Sequence, residues 1–227
     1  MSGSYGSISV PMSILKDLQA VLRTLSVNRD IMIRTLSLIF AFAWFTNEGA
    51  KSGDVMLATN AILMQFVTFS AFFLDGYALA AESLVGTAVG AKNRNGFDRT
   101  LRYINELGLL TATILAMAIF LAGPAMIDLL TNVNEVRNTT RTYLLWAVAA
   151  PVISLWCYLL DGVFIGATCT REMRNAMLFS LLAYLAAWYL LTPVFLNHGL
   201  WLSLHVYFVA RALTLWYYLP NVRARCA

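Results

Sequence analysis

Apolar runs long enough to cross a bilayer, separated by short polar breaks, constrain this chain more than any other feature. They extend from Asp30 to Ala50, Asp54 to Ala91, Leu101 to Ala122, Thr139 to Thr168, Asn175 to Leu196 and Leu200 to Tyr218. A helix of about 20 residues spans the hydrocarbon core, and in lipid every backbone polar group must find its partner within the span or a closed barrel. The reading is an all-α membrane protein, a six-transmembrane-helix bundle. Hydrophobic residues make up 59% of the sequence and charged residues only 12%, a balance foreign to soluble domains.

Details of the runs shape this expectation. The second is nearly twice the length a span needs, so it projects from the membrane or bends; splitting it at Asp75-Gly76 would leave a short seventh span containing Glu82. Gly123-Pro124 reads as the stop of the third helix, with Ala125 to Leu130 as a short interfacial helix. Pro151 falls inside the fourth run. Ser2 to Ser13 is rich in Ser and Gly, and Ile14 to Leu25 repeats apolar residues at helical spacing, as in a helix on the membrane surface or a connector helix. Met1 to Gln19 lacks the pattern of a cleaved signal peptide. The domain reading is residues 1–28 as an N-terminal segment with this helix, 29–221 as the six-span unit and 222–227 as a short basic tail.

The basic residues lie in short clusters between the runs, which points to topology signals and away from a nucleic-acid surface. With both termini in the cytoplasm, twelve Lys and Arg fall on that side, against Lys51, Arg137 and Arg141 on the other. Arg211 lies within the sixth run, where it either pairs with an acid of the bundle or snorkels to an interface. Cys157, Cys169 and Cys226 show no CxxC spacing, so neither a disulfide framework nor a zinc site is expected.

An acid inside a membrane helix is costly and is read first as a functional residue. Asp75 and Glu82 are seven residues apart, nearly in line on one helix face, with Thr68 seven residues earlier. That stripe reads as a proton- or cation-binding face, or as hydrogen-bonded glue between helices. Asp161 follows Pro151 in the fourth run, and broken helices often line transport sites. Leu74-Asp75-Gly76 and Leu160-Asp161-Gly162 repeat, a short echo that reads either as an internal three-helix repeat or as chance. Glu48 reads as facing water. Gly86 and Gly90 form a GxxxG suited to close helix packing. His198 and His205 are isolated, and no nucleophile, Cys/His or metalloprotease pattern appears, so the chain does not read as an enzyme.

Several stretches resemble the multidrug and toxic compound extrusion (MATE) transporters of the DinF-like branch. They are Asn28-Arg29-Asp30-Ile31-Met32-Ile33-Arg34, Asn60 to Met64 through Leu74-Asp75-Gly76, Gly90-Ala91-Lys92-Asn93, and Trp156 to Thr168 followed by Glu172-Met173-Arg174-Asn175. The chain resembles the second six-helix lobe of such a transporter. The resemblance implies antiport, in which H⁺ or Na⁺ drives export of organic cations or other amphipathic compounds, with no further cofactor. By position it implies Asp75 and Asp161 as cavity acids, with Asn60, Gln65 and Tyr158 as neighbours; Glu82, Thr68 and Arg211 complete the candidates. Further implied are a lipid bilayer of the inner (plasma) membrane, both termini cytoplasmic, and a companion N-terminal lobe or second copy. The alternative is a non-transporting membrane remnant of a split or truncated gene.

Overall fold

The computed structural model describes residues 18–226, and every element in it is a helix. In chain order these are α1 Leu18–Lys51, α2 Asp54–Gly90, α3 Arg94–Leu130, α4 Asn134–Gly166 and α5 Thr170–Ala224. Local chemistry sets the breaks between them. Gly53 turns the chain between α1 and α2 at φ 98°, a left-handed conformation that suits glycine. After α2 and after α4 the same device recurs: Lys92 and Thr168 take positive φ, and the amides of Asn93 and Cys169 donate back to the carbonyls of Ala88 and Phe164, each at 2.8 Å. Asn93 then caps α3 through its side chain, which accepts from the Gly96 amide at 2.9 Å. Between α3 and α4, Arg137 donates to the carbonyls of Asp128 and Thr131 at 2.8 Å each.

Five helices replace the expected six-helix count, and four of them, α2 to α5, are long and apolar enough to cross a membrane. In α1, Arg34 and the polar end Thr46-Asn47-Glu48 dilute the apolar stretch. The fifth and sixth runs form one element, α5, whose backbone departs from helical geometry only at Leu196 (φ 50°, ψ −128°). There the chain folds back on itself. The Tyr207 hydroxyl donates to the Met177 sulfur at 2.8 Å, and the Tyr184 and Tyr207 rings lie 6.0 Å apart. A straight helix would separate Met177 and Tyr207 by about 45 Å. Gly199 permits the bend, because a Cβ there would sit 2.4 Å from the Leu191 carbonyl oxygen.

Two other boundaries differ from expectation, and the unsplit second helix agrees with it. α3 runs through Gly123-Pro124 to Leu130, so Ala125 to Leu130 is its last turn and a half, not a separate interfacial helix. An interior proline removes one intrahelical hydrogen bond and crowds the carbonyl four residues back, yet the helix continues, and Gly123 lets Leu144 of α4 pack directly on that turn. α2 is continuous through Asp75-Gly76. α1 begins at Leu18, so the C-terminal part of the expected amphipathic helix is the start of the first long helix; Ser2 to Asp17 lies outside the described residues.

Two buried clusters hold the bundle. One gathers Leu74, Ala81 and Val85 of α2 with Leu155, Leu160 and Phe164 of α4 and Leu215 of α5. The other gathers Phe45, Leu63, Phe66, Tyr184, Trp201 and Tyr207. Many large apolar side chains face outward, among them Phe72, Leu79, Leu129 and Tyr217. Exposed apolar surface on this scale is the outside of a protein whose solvent is lipid.

Candidate functional site

The two helices that carry the acids cross with almost nothing between them. A Cβ on Gly162 would lie 2.1 Å from the Ala78 carbonyl oxygen, and one on Gly166 would lie 2.3 Å from that of Glu82. Gly162 and Gly166 are themselves a GxxxG, and this pair makes the close contact. Of the Gly86/Gly90 pair singled out in the sequence, Gly86 approaches the Gly166 carbonyl, whereas Gly90 meets nothing within 4 Å. Small residues allow backbones to touch, and here they set Asp161 beside the turn of α2 that begins at Asp75.

Just off this crossing lies a cavity of about 370 Å³, lined by Arg34, Leu38 and Phe42 of α1, Asp75, Ala78, Leu79 and Glu82 of α2, Tyr158, Asp161, Gly162 and Ile165 of α4, and Arg211 of α5. Asp161 is buried at 5% exposure and pairs with two guanidinium groups, those of Arg34 and Arg211. Arg211 is equally buried, at 3%. One carboxylate thus ties α4 to α1 and to the returning limb of α5. A buried charge is tolerated only when paired and hydrogen-bonded, and this triad meets that condition for Asp161. Asp75 faces the open side of the cavity, Glu82 is half-buried on the same helix, and neither has an ion-pair partner among the described residues.

The structure distributes the sequence candidates unevenly. Asp75, Glu82, Tyr158, Asp161 and Arg211 meet in the one cavity. Gln65 and Thr68 are exposed on α2 away from it. Asn60 is buried in a separate polar knot: its amide donates to Asn197 at 2.8 Å, and its oxygen accepts from Asn197 and from the Trp201 indole, each at 3.0 Å. It fastens α2 to the fold-back of α5. Glu48 is less open to water than its sequence position suggests; its side chain is 10% exposed and pairs with Lys51 at 2.6 Å.

Arg34 is the residue that sequence reasoning missed. It reads as a topology signal, although an arginine directly after Ile31-Met32-Ile33 inside an apolar run is itself the clue to a buried partner. A second ionic link lies one turn earlier on the same helix: Arg174 of α5 bonds Asp30 at 2.7 Å, and Asp30 is 4% exposed.

An apolar helical bundle whose helices bring buried and cavity-facing charges to one point defines a multi-pass membrane protein with a polar site in its interior. The family follows from comparison with known proteins. A MatE family model matches residues 31–190, and the chain belongs to the MatE family of membrane transporters. It is 41% identical over 197 residues to the DNA damage-inducible protein F of Escherichia coli (strain K12), covering 85% of this chain and 42% of that relative. It is 23% identical over 180 residues to Protein DETOXIFICATION 44, chloroplastic, of Arabidopsis thaliana, covering 78% of this chain and 34% of the relative. A third relative, Protein DETOXIFICATION 42 of the same plant, is 20% identical over 182 residues, with 80% and 35% covered. The chain therefore spans well under half the length of the curated relatives it matches.

Proposed function

We propose that this chain is the second six-helix lobe of a cation-coupled MATE-type antiporter that exports organic cations or other amphipathic compounds. In this reading the chain crosses the plasma membrane six times with both termini in the cytoplasm, and the fold-back at Leu196 is the turn between the fifth and sixth crossings. The observation that carries it is the cavity at the α2–α4 crossing, where, among the described residues, Asp75 and Glu82 have no ion-pair partner while Asp161 is held by Arg34 and Arg211. A carboxylate so placed binds H⁺, Na⁺ or the cationic end of a substrate, since an opposite charge or a proton relieves its desolvation. Asp75 is the exchanging acid and Asp161 the fixed one, held by its two arginines. Transport requires a companion lobe, because alternating access needs a second body to rock against.

The test is energised export of a cationic dye from cells expressing the chain alone and together with a six-helix first lobe. Export is expected only in the second case and is reduced by Asp75→Asn. Full export by the Asp75→Asn/Asp161→Asn double variant would remove both acids from the mechanism. Export by the chain alone would remove the need for a companion lobe.

A further inference from the structure

A groove separate from the acidic cavity runs down the outside of the bundle between α3, α4 and the last part of α5. Three hollows make it up, of about 700, 300 and 300 Å³, and they run into one another because Trp216 lines all three. Its chemistry changes along its length. At one end, near the N-terminus of α3, stand two ion pairs, Asp98–Arg223 at 2.5 Å and Arg102–Glu106 at 2.7 Å. In the middle lie Leu101, Leu219, Trp216 and Trp156. The Trp156 indole donates to the Asn105 side-chain oxygen at 3.0 Å, which leaves the Asn105 amide as a donor beside Arg102. The far end is wholly apolar, formed by Ile153, Val209, Ala212, Leu213 and the two tryptophans.

Length and charge both fit one kind of occupant. From Arg223 to Val209 the last part of α5 rises about 21 Å, and one bilayer leaflet with its headgroups is about 20–22 Å deep. Trp156 and Trp216 then stand where tryptophans gather, between headgroups and hydrocarbon. At the polar end the two ion pairs cancel, but Arg94, one turn before Asp98 on the same face of α3, and Arg99 beside it are exposed. Neither has an ion-pair partner among the described residues. Surplus positive charge at the membrane surface favours anionic headgroups. We propose that this groove seats one anionic glycerophospholipid. Its phosphate lies among Arg102, Arg223 and the Asn105 amide, and one acyl chain runs past Trp216 and Trp156 to Ala212. The change from ionic to apolar within the depth of one leaflet is that of the lipid itself, read from head to chain. In the proposed topology the leaflet is the cytoplasmic one.

The test places the purified full chain in nanodiscs that contain a small fraction of phosphatidylglycerol or phosphatidylcholine brominated on its acyl chains, and follows quenching of tryptophan fluorescence. Quenching of Trp216 is the difference between the parent and Trp216→Phe. Phosphatidylglycerol is expected to occupy the groove about fivefold more readily than phosphatidylcholine, or about 1 kcal/mol. Arg223→Gln, which leaves Asp98 unpaired at the mouth, brings that ratio near one, and Arg223→Lys keeps most of it. Arg171→Gln removes an equal charge from an exposed site at the start of α5, on the same side of the membrane, and leaves the ratio unchanged. Equal quenching by the two lipids in the parent overturns the proposal. So does a preference that Arg171→Gln lowers as much as Arg223→Gln, since it then belongs to the whole surface. Trp216 quenched by neither lipid means that protein, such as a second copy of the chain, covers the groove, and overturns the lipid as its occupant.

Discussion

Replacing Gly162 by alanine adds one carbon at the place where this bundle has least room. The new Cβ would stand 2.1 Å from the Ala78 carbonyl oxygen, 2.7 Å from its carbonyl carbon and 2.8 Å from its Cα. All three are backbone atoms within a continuous helix, so no side chain can turn aside, and α2 must retreat from α4 by more than an ångström. Overpacking of this kind costs about 1–3 kcal/mol, and the upper end is expected here because the contacts of Ala81, Val85, Leu160 and Val163 in the same seam loosen together. The control lies on the opposing helix. Gly76 has nothing within 4 Å of where a Cβ would sit, so Gly76→Ala meets no obstacle and gains up to about 1 kcal/mol of helix propensity. Both variants are compared with the parent by titration of the detergent-solubilised protein with SDS, following loss of helix packing through tryptophan fluorescence. A large drop for Gly162→Ala with no drop for Gly76→Ala is the expected pair of results. Equal midpoints would mean that the two helices do not meet backbone to backbone, and the placement of Asp161 beside Asp75 would fall with that contact.

Other perturbations probe the remaining parts of the structure. Asp161→Leu strands two guanidinium groups, one of them on an almost fully buried Arg211, and is expected to cost about 3–5 kcal/mol; Asp161→Leu/Arg211→Leu should recover part of that loss, and strict additivity in the same SDS titration would refute the pairing. Asn60→Ala leaves Asn197 and the Trp201 indole without partners and should destabilise by about 1–3 kcal/mol, which SDS midpoints would show. Burial pushes the Cys169 thiol up to about 11, with Glu172 adding to the shift and Arg225 opposing it. Maleimide labelling at Cys169 should therefore be far slower at pH 7.5 than at an exposed Ser52→Cys; comparable rates at pH 7.5 would refute its burial. For topology, Ser52→Cys should react with a membrane-impermeant maleimide in intact cells and Thr168→Cys only after permeabilisation, and the reverse pattern would invert the proposed orientation.

The helical membrane architecture was legible because apolar length is a strong signal and each run is bounded by residues that end helices for local reasons, as at Gly53 and Asn93. What hydropathy did not reveal was continuity. Gly123-Pro124 reads as a stop in any local analysis, yet Leu144 packs on the glycine and the helix continues. The break in α5 was legible, since the fold-back at Leu196 falls where the fifth apolar run ends, and Gly199 approaches Leu191 closely there. The site was legible as far as cost alone carries: an acid in an apolar run stands out, and Asp75, Glu82 and Asp161 were found that way. Partnership was not legible, because Arg34 and Asp161 are separated by 127 residues and no spacing rule links them. Asn60 shows the opposite failure, since a polar residue on the same helix as Asp75 and Glu82 serves a different junction in space.

The bare crossing of α2 and α4 also decides which parts of the cavity can move. With carbonyls resting on Gly162 and Gly166 and buried side chains locked on either side of that contact, those two helices behave as a single splint bearing all three acids. The arginines ride on the other members, Arg34 on α1 and Arg211 on α5. Any widening of the cavity must tilt α1 or α5 away from the splint, and in doing so withdraws a positive charge from Asp161. Shape and charge in this bundle are therefore one variable: the cavity cannot open without becoming more negative, and a more negative cavity is a better seat for a cation.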